Sequence, residues 1–534
     1  MAQDTAVSAS AKGATFLILL QIGSRAVTFA LNQVLLRFLS PSLLGASVQL
    51  ELFFISTLYF ARESFRVAAQ RRSDGGVQAA VNLSYLSFIA GPPIGLALSV
   101  LYLRGQLPDV PHLNTALWAH LAAAMLELLS EPAYVAVEQT MQYKIRASAE
   151  AIAIVFKTLA TASTAFWSSY AAVNLGVLPF AAGELAWAST LTVVYLIRTS
   201  SLAREQQFSI LPLKMTSSDK HPYTLSLFYK PLLSLSFSMY VQTGIKYVLT
   251  QGDTILVTRL ASLEDQGVYA LSANYGGLIA RMLFRPIEDS SRNLFAKLCA
   301  TTSSDEKTLR KDKKGGTATS NMVQAATILQ DILRVYSLIS CIAFAVGPVA
   351  APLLLRLVAG ARWTDAGAGE VLGRYCFYIP LLAFNGVTEA FVAATASTTD
   401  LQRQSIWMAF FFAGFAASAY FFLHTLGLGA EGLVYANCVN MVFRIVFNVQ
   451  FVNGFFKRNG NSFSINSLVP NIAVIAALPL IPSLIQYMKG VSVVQRYGFL
   501  GELAVVSASG GTYAVFVLVA HRRFLIDCYR RIKS

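Results

Sequence analysis

Charge is scarce in this chain. Asp, Glu, Lys and Arg make up 13% of its 534 residues, whereas a soluble domain carries roughly 25%. With 55% hydrophobic residues and a mean hydropathy of +0.54, a water-soluble fold of this size is excluded. Cysteine and histidine are few as well, five of each. Cys299, Cys341, Cys376, Cys438 and Cys528 stand singly, with no paired spacing of a zinc site or disulfide framework, and read as structural. His112, His120, His221, His424 and His521 are equally dispersed, so no metal site is expected. No Gly-x-x-x-x-Gly-Lys-Ser/Thr loop is present, which argues against direct use of ATP. There is no His-Glu-x-x-His helix and no Gly-x-Ser-x-Gly elbow. The expectation is a protein that is not an enzyme and needs no cofactor. Acidic residues are outnumbered, giving a net charge of +14. The cations sit in short loops between apolar runs and in the tail, where membrane topology rather than nucleic acid accounts for them.

Apolar stretches of spanning length are plentiful. They fall at 14–38, 45–66, 78–103, 113–137, 148–173, 176–197, 231–258, 266–296, 324–355, 369–397, 404–424, 428–454, 467–488 and 498–520. Each can hold the roughly 20 residues that a bilayer-crossing helix needs. The expected fold is therefore all-α, a polytopic membrane protein of about fourteen helices. Arg25 interrupts the first run, so it reads as a retained helix rather than a leader. Lys and Arg concentrate about fourfold on one side of this topology, including Arg71, Arg72, Lys214, Lys220, Lys307 to Lys314, Arg403, Lys457, Arg458 and the tail from Arg522 to Lys533. The positive-inside rule puts that side, and both termini, in the cytosol. On that side the Asn82-Leu83-Ser84 triplet reads as a chance match to a glycosylation acceptor.

Two hydrophilic stretches, 198–230 and 297–322, punctuate the chain. Weak self-similarity supports a boundary at the first. Gln21-Ile22-Gly23-Ser24-Arg25 recurs as Gln242-Thr243-Gly244-Ile245-Lys246; Ser130-Glu131 recurs as Thr388-Glu389, and Arg146 as Arg403. The later offsets exceed the first by about 36 residues, a jump that falls where the 297–322 insertion sits. The domain reading is a six-helix lobe at 1–200, a cytosolic linker at 201–230, a second six-helix lobe at 231–456 carrying the insertion, and two further helices with a basic tail at 457–534. Paired lobes with a site at their interface are the plan of many secondary transporters. The insertion is polar, and loops lengthen at little entropic cost. Deleting Thr301 to Gly316 is expected to leave expression and activity largely intact; a well-expressed but inactive deletion would show that the loop has a specific role.

Ionisable residues inside the spans recur at helical spacing. Gln21, Arg25, Thr28 and Asn32 share one face, as do Gln242, Lys246, Thr250 and Asp253; so do Glu127, Glu131, Tyr134 and Glu138, and Asn437, Asn440, Arg444 and Asn448. Arg62, Glu63 and Arg66 close the second span, and Asn274, Arg281, Arg285 and Glu288 stripe the eighth. Each charge at mid-membrane costs about 2.5–3.5 kcal/mol on insertion scales, so these faces should turn towards an internal polar cavity. Arg37, Arg146, Arg259, Arg292 and Arg403 lie near span ends and read as cations in ion pairs or reaching for headgroups. The cations Arg25, Arg62, Arg66, Lys246, Arg281 and Arg285 suit phosphate oxygens. Glu131 and Glu389 can orient those cations, accept hydroxyls or take up a proton. Arg25 and Lys246, matched by the repeat, are expected to face one another across the lobes. Pro132, Pro286 and Pro380 offer bends.

Four blocks carry a family resemblance: Ala61-Arg62-Glu63-Ser64-Phe65-Arg66; Leu129-Ser130-Glu131-Pro132; Asp265-Gln266-Gly267-Val268-Tyr269 followed by Arg281 to Asp289; and Asn385-Gly386-Val387-Thr388-Glu389-Ala390-Phe391. Together they resemble the eukaryotic Rft1 family, within the multidrug/oligosaccharidyl-lipid/polysaccharide exporter superfamily. The resemblance implies a multi-pass endoplasmic-reticulum membrane protein that moves the dolichol-pyrophosphate-linked five-mannose oligosaccharide from cytosolic to lumenal leaflet for N-glycosylation. It implies dolichol-linked oligosaccharide, membrane lipids and the N-glycosylation machinery as partners. A non-transporting factor that binds or presents the lipid-linked oligosaccharide is the alternative. A multi-span glycosyltransferase fits less well, because the first lumenal loop, Ser40 to Leu44, has no acidic residue. The substrate-binding candidates are Arg25, Arg62, Glu63, Arg66, Glu131, Lys246, Asp253, Arg281, Arg285, Glu288, Asn385, Glu389 and Arg444.

Overall fold

A computed structural model describes residues 30–71, 75–105, 109–215, 222–300, 315–461 and 463–533. Nearly all of them are helical, as a chain in hydrocarbon requires when its backbone groups must be satisfied internally. The chain divides into two compact units, residues 1–258 and 259–534. The first contains α1 (Pro41–Arg71), α2 (Gly76–Leu103), α3 (Leu113–Leu128), α4 (Glu131–Gln139), α5 (Tyr143–Tyr170), α6 (Leu178–Gln206) and nearly all of α7 (Lys230–Leu260). Two short strands, β1 (Tyr223–Thr224) and β2 (Phe228–Tyr229), pair antiparallel ahead of α7. The sequence reading starts the second lobe at 231, whereas α7 belongs with the first unit.

The second unit contains α8 (Leu263–Ile279), α9 (Arg285–Ala300), α10 (Gly315–Ala359), α11 (Ala361–Asp365), α12 (Ala368–Thr395), α13 (Thr398–Tyr420), α14 (Gly429–Arg458), α15 (Ile472–Ala477), α16 (Leu480–Lys489), α17 (Ser492–Arg496), α18 (Gly498–Ala520) and α19 (Arg522–Lys533). Small residues let these helices approach. At Gly373 in α12, a Cβ would lie 2.9 Å from the Pro348 carbonyl oxygen of α10, the close approach that small residues permit between membrane helices. The C-terminal helices pack on α10 through Leu338, Cys341, Ala345, Val474, Tyr513 and Val517. Asn471 N donates to His521 Nε2 at 3.1 Å. Burial and the nearby Arg334 lower the His521 pKa, which keeps that ring nitrogen an acceptor.

Ten helical segments among the described residues are long and apolar enough to cross a membrane. Four of the fourteen expected spans are not among them. The stretch 14–38 lies largely outside the described residues. The stretch 113–137 breaks between Leu128 and Glu131, ahead of Pro132, and Thr192 Oγ1 donates to the Leu126 carbonyl at 2.8 Å beside the break. The stretch 266–296 is divided by a π-helical turn, Ala280–Phe284, just before Pro286, where a proline ring would clash with the carbonyl four residues back. Helix α7 is 31 residues long but carries Gln242, Lys246, Gln251 and Asp253. At Pro380, by contrast, α12 runs on unbroken.

The expected linker is a folded strap in the part described. Asn82, 1% exposed on α2, donates from Nδ2 to the Leu213 and Leu227 carbonyls at 2.7 and 2.9 Å and accepts from Leu213 N at 3.0 Å. Gln78 Oε1 accepts from Ser209 N at 2.8 Å, and Tyr85 OH donates to the Ile210 carbonyl at 3.0 Å. Tyr229 and Leu232 then bury against Phe65, Ala68, Ala79 and Leu83. Asn82 is thus the clasp of this strap, with its side chain fully engaged.

Candidate substrate cavity

In the first unit, three helices converge on a charge network. Arg62 and Arg66 lie one turn apart on α1, so their guanidinium groups share a face. Glu127 ends α3 and Glu131 opens α4, placed side by side by the break between those helices. Arg62 Nη1 donates to Glu127 Oε1 at 2.7 Å and to Glu131 Oε1 at 2.9 Å. Arg66 grips Glu131 with both edges of its fork, Nε to Oε2 at 2.8 Å and Nη2 to Oε1 at 2.5 Å. Trp187 Nε1 on α6 donates to Glu127 Oε2 at 2.8 Å. The Arg66 guanidinium also stacks 3.7 Å over the Tyr134 ring. Glu131 is 0% exposed, and its position in the first turn of α4 adds the favourable end of the helix dipole.

This network walls one side of a cavity of about 490 Å³ lined by Asn32, Glu51, Tyr59, Arg62, Glu63, Arg66, Glu127, Lys157, Glu184 and Trp187, with apolar neighbours. Lys157 on α5 pairs with Glu184 on α6. The lining therefore holds four carboxylates and three cations, and each of those cations has a carboxylate partner. A simple cationic clamp, as the sequence suggests, is not what these residues form; the wall is a mixed one, with aromatic edges at Tyr59 and Trp187. Arginines restrained by buried carboxylates are fixed in direction and keep further N–H donors.

The second unit has a sparser counterpart. Asn385 Nδ2 donates to Glu389 Oε2 at 2.9 Å within α12, and Arg444 Nη2 on α14 approaches both Glu389 oxygens at 3.3 Å. Asn448 Nδ2 donates to Asn385 Oδ1 at 3.2 Å. The Glu389 side chain is 36% exposed, against 0% for Glu131, so the repeated glutamates differ in setting. Asp265 does something else: Ser262 Oγ accepts from its backbone N–H at 3.1 Å, and its Oδ1 accepts from Ala430 N at 2.8 Å, capping α14.

The Rft protein family profile matches residues 9–531. This chain belongs to the Rft protein family. Among its relatives, the Man(5)GlcNAc(2)-PP-dolichol translocation protein RFT1 of Yarrowia lipolytica is 34% identical over 513 residues, covering 88% of this chain and 73% of that protein. The protein of the same name from Xenopus tropicalis is 29% identical over 493 residues, covering 90% and 88%. Among solved structures, the lipid II flippase MurJ in an inward closed conformation aligns with a TM-score of 0.59 at 12% identity, over 96% of this chain and 100% of that one. An inward-facing multidrug resistance MATE transporter aligns with a TM-score of 0.50 at 14% identity, over 79% and 93%. At those identities the likeness establishes the fold, that of an exporter-type membrane transporter.

Of the residues singled out in this Rft family member by sequence, Arg62, Glu63 and Arg66 line the cavity and Glu131 stands behind it. Asn385, Glu389 and Arg444 come together in the second unit. Lys246 is exposed on α7 and makes no ion pair among the described residues. Arg281 donates to the Asn274 carbonyl and Oδ1 at 2.9 and 3.0 Å. Arg285 is exposed and Glu288 half-buried, its carboxylate lying against Gly386. Asp253 Oδ1 accepts from Thr254 N at 2.8 Å. Arg25 lies outside the described residues, but Asn32, two turns along its stripe, lines the cavity. Lys157, Glu184 and Trp187 escaped sequence reasoning. Lys157 and Glu184 are lone charges in apolar runs, and no periodicity within one helix pairs them across two.

Proposed function

We propose that this Rft family member translocates, or assists the translocation of, a dolichol-pyrophosphate-linked five-mannose oligosaccharide from the cytosolic to the lumenal leaflet of the endoplasmic-reticulum membrane, supplying protein N-glycosylation. It acts without covalent chemistry, with both termini cytosolic. The observation that carries this reading is the mixed wall of the first-unit cavity, where Arg62, Arg66, Glu63, Glu184 and Trp187 face a polar space inside a membrane-spanning unit. Sugar hydroxyls are donors and acceptors at once, and carboxylates beside guanidinium groups answer both. An indole face suits the apolar side of a sugar ring. The remaining N–H groups of the arginines suit phosphate oxygens, with Arg25 and Lys246 as further phosphate-facing cations. Asn385, Glu389 and Arg444 offer a second polar station. The names of the relatives and the exporter fold support the same substrate class.

Binding tests this reading. Purified protein in nanodiscs is expected to bind the dolichyl-pyrophosphate-linked oligosaccharide, and Arg62→Gln should weaken it by roughly tenfold, the worth of one charge-assisted contact. Arg62 suits the test because Glu127 keeps Trp187 and Glu131 keeps Arg66 as partners when it is neutralised. Absence of binding by the parent chain, or unchanged affinity in the variant, would refute the assignment.

A further inference from the structure

The second unit carries a groove unrelated to the polar network. It runs between α13 and α14 with a volume of about 860 Å³, within the range of small-molecule sites. Its walls are aromatic. Trp407 and Phe411 of α13 meet Phe447 of α14 with ring centroids 6.1 and 6.0 Å apart, and Phe410, Phe443 and Phe451 continue the lining. Two glycines shape it. At Gly414 a Cβ would lie 2.7 Å from the Phe443 ring, so its absence lets the helices close there; at Gly454 nothing lies within 4 Å, and the groove stays open.

The open end is basic. Because the helices run antiparallel, the start of α13 brings Arg403 beside Lys457 and Arg458 at the end of α14. None of the three makes an ion pair among the described residues. Asp400, the acid beside them, is committed to the capping box with Ser397, accepting from Ser397 N at 3.1 Å. The internal repeat sharpens the point. Arg146, the counterpart of Arg403, is neutralised by Glu138 and Glu150 at 2.8 and 2.9 Å. At the positions equivalent to those two acids the second repeat has Thr395 and Trp407. The second copy thus lacks counterparts of both of those acids, keeps only Asp400 nearby, and has an aromatic wall instead.

We propose that this groove docks one anionic glycerophospholipid, with its phosphate between Arg403, Lys457 and Arg458 and an acyl chain along Trp407, Phe447 and Gly454. Three cations set against the single carboxylate of Asp400, which feels both Arg403 and Arg458, leave the head of an aromatic groove net positive. That complements a lipid with a charged head and apolar tail, and basic clusters at a membrane surface favour anionic lipids. Phe410 and Val446, 63% and 49% exposed, leave the groove's flank open to a lipid arriving from the bilayer.

Native mass spectrometry of the full chain in mixed micelles tests this, with phosphatidylinositol and phosphatidylcholine of matched acyl chains as probes. The parent should retain phosphatidylinositol preferentially. Neutralising Arg403, Lys457 and Arg458 together as Gln should abolish that preference, a loss on the order of a hundredfold. Gly454→Leu fills open space on a helix without touching the charges, so it should reduce retention of both lipids while the protein still melts as the parent does. Preference surviving the triple substitution, or retention unchanged by Gly454→Leu, would overturn the proposal. Displacement of phosphatidylinositol by an equimolar amount of dolichyl phosphate would assign the groove to the polyprenyl carrier and overturn it equally.

Discussion

Glu131→Ala is expected to destabilise the first unit by about 3–5 kcal/mol, the usual consequence of removing one partner from a buried ion pair. Arg66 would keep its place over Tyr134 but lose both hydrogen bonds of its fork, and Arg62 would retain Glu127 alone. A guanidinium left without its counter-charge inside a membrane-spanning unit has no inexpensive alternative position. The check is the thermal unfolding midpoint of detergent-solubilised protein, read beside Arg62→Gln. The glutamate variant should fall far below parent, and the arginine variant, which leaves Glu131 with Arg66 and Glu127 with Trp187, should fall by clearly less. Equal, small shifts in both would show that the network does not hold the unit together.

Asn82→Ala should release the strap. One amide satisfies the Leu213 and Leu227 carbonyls and the Leu213 N–H, and each such hydrogen bond contributes about 0.5–1.5 kcal/mol. Limited proteolysis in micelles should then cut the 207–215 stretch of the variant readily while the parent resists. Asn82→Ser, too short to reach both carbonyls, should behave like the alanine variant; resistance equal to parent in both would mean that the Tyr229 and Leu232 cluster alone secures the strap. The same burial keeps the Asn82-Leu83-Ser84 triplet from serving as a glycan acceptor, a role that needs an exposed side chain.

Much of the architecture was legible because bilayer thickness imposes a length on apolar runs. The expected spans at 78–103 and 498–520 coincide with α2 and α18. The departures have local causes. Pro132 and Pro286 deny the backbone a donor, and the chain responds with a break in one place and a π-helical turn in the other, whereas Pro380 is absorbed into α12. Apolar content alone does not distinguish these outcomes, because they depend on whether a neighbour such as Thr192 stands ready beside the break. The strap was invisible for a different reason: Asn82 binds backbone groups 131 and 145 positions away, and polar composition says nothing of such long-range clasps.

The site was legible where charge is anomalous. Arg62, Arg66 and Glu131 stand out in apolar surroundings, and their convergence follows from the cost of leaving any one of them alone. Their balance was not legible. Sequence inspection emphasises cations suited to phosphate, while the assembled wall pairs the two of them it contains, Arg62 and Arg66, with carboxylates and adds Lys157, Glu184 and Trp187 from helices whose faces only packing brings together. The repeat likewise identifies Glu131 and Glu389 as equivalents without revealing that one is sealed behind two arginines and the other half-open beside Arg444.

Leaflet transfer is the most direct test of the central claim. Purified protein would be reconstituted into liposomes with a defined fluorescent dolichyl-pyrophosphate-linked oligosaccharide, and the fraction reaching the opposite leaflet scored against protein-free vesicles and against the Arg62→Gln chain. A translocating protein predicts transfer well above the protein-free rate, with a matching loss in the variant. Transfer at the protein-free rate by a chain that binds the same lipid in nanodiscs would contradict translocation and leave a factor that holds and presents its lipid-linked ligand.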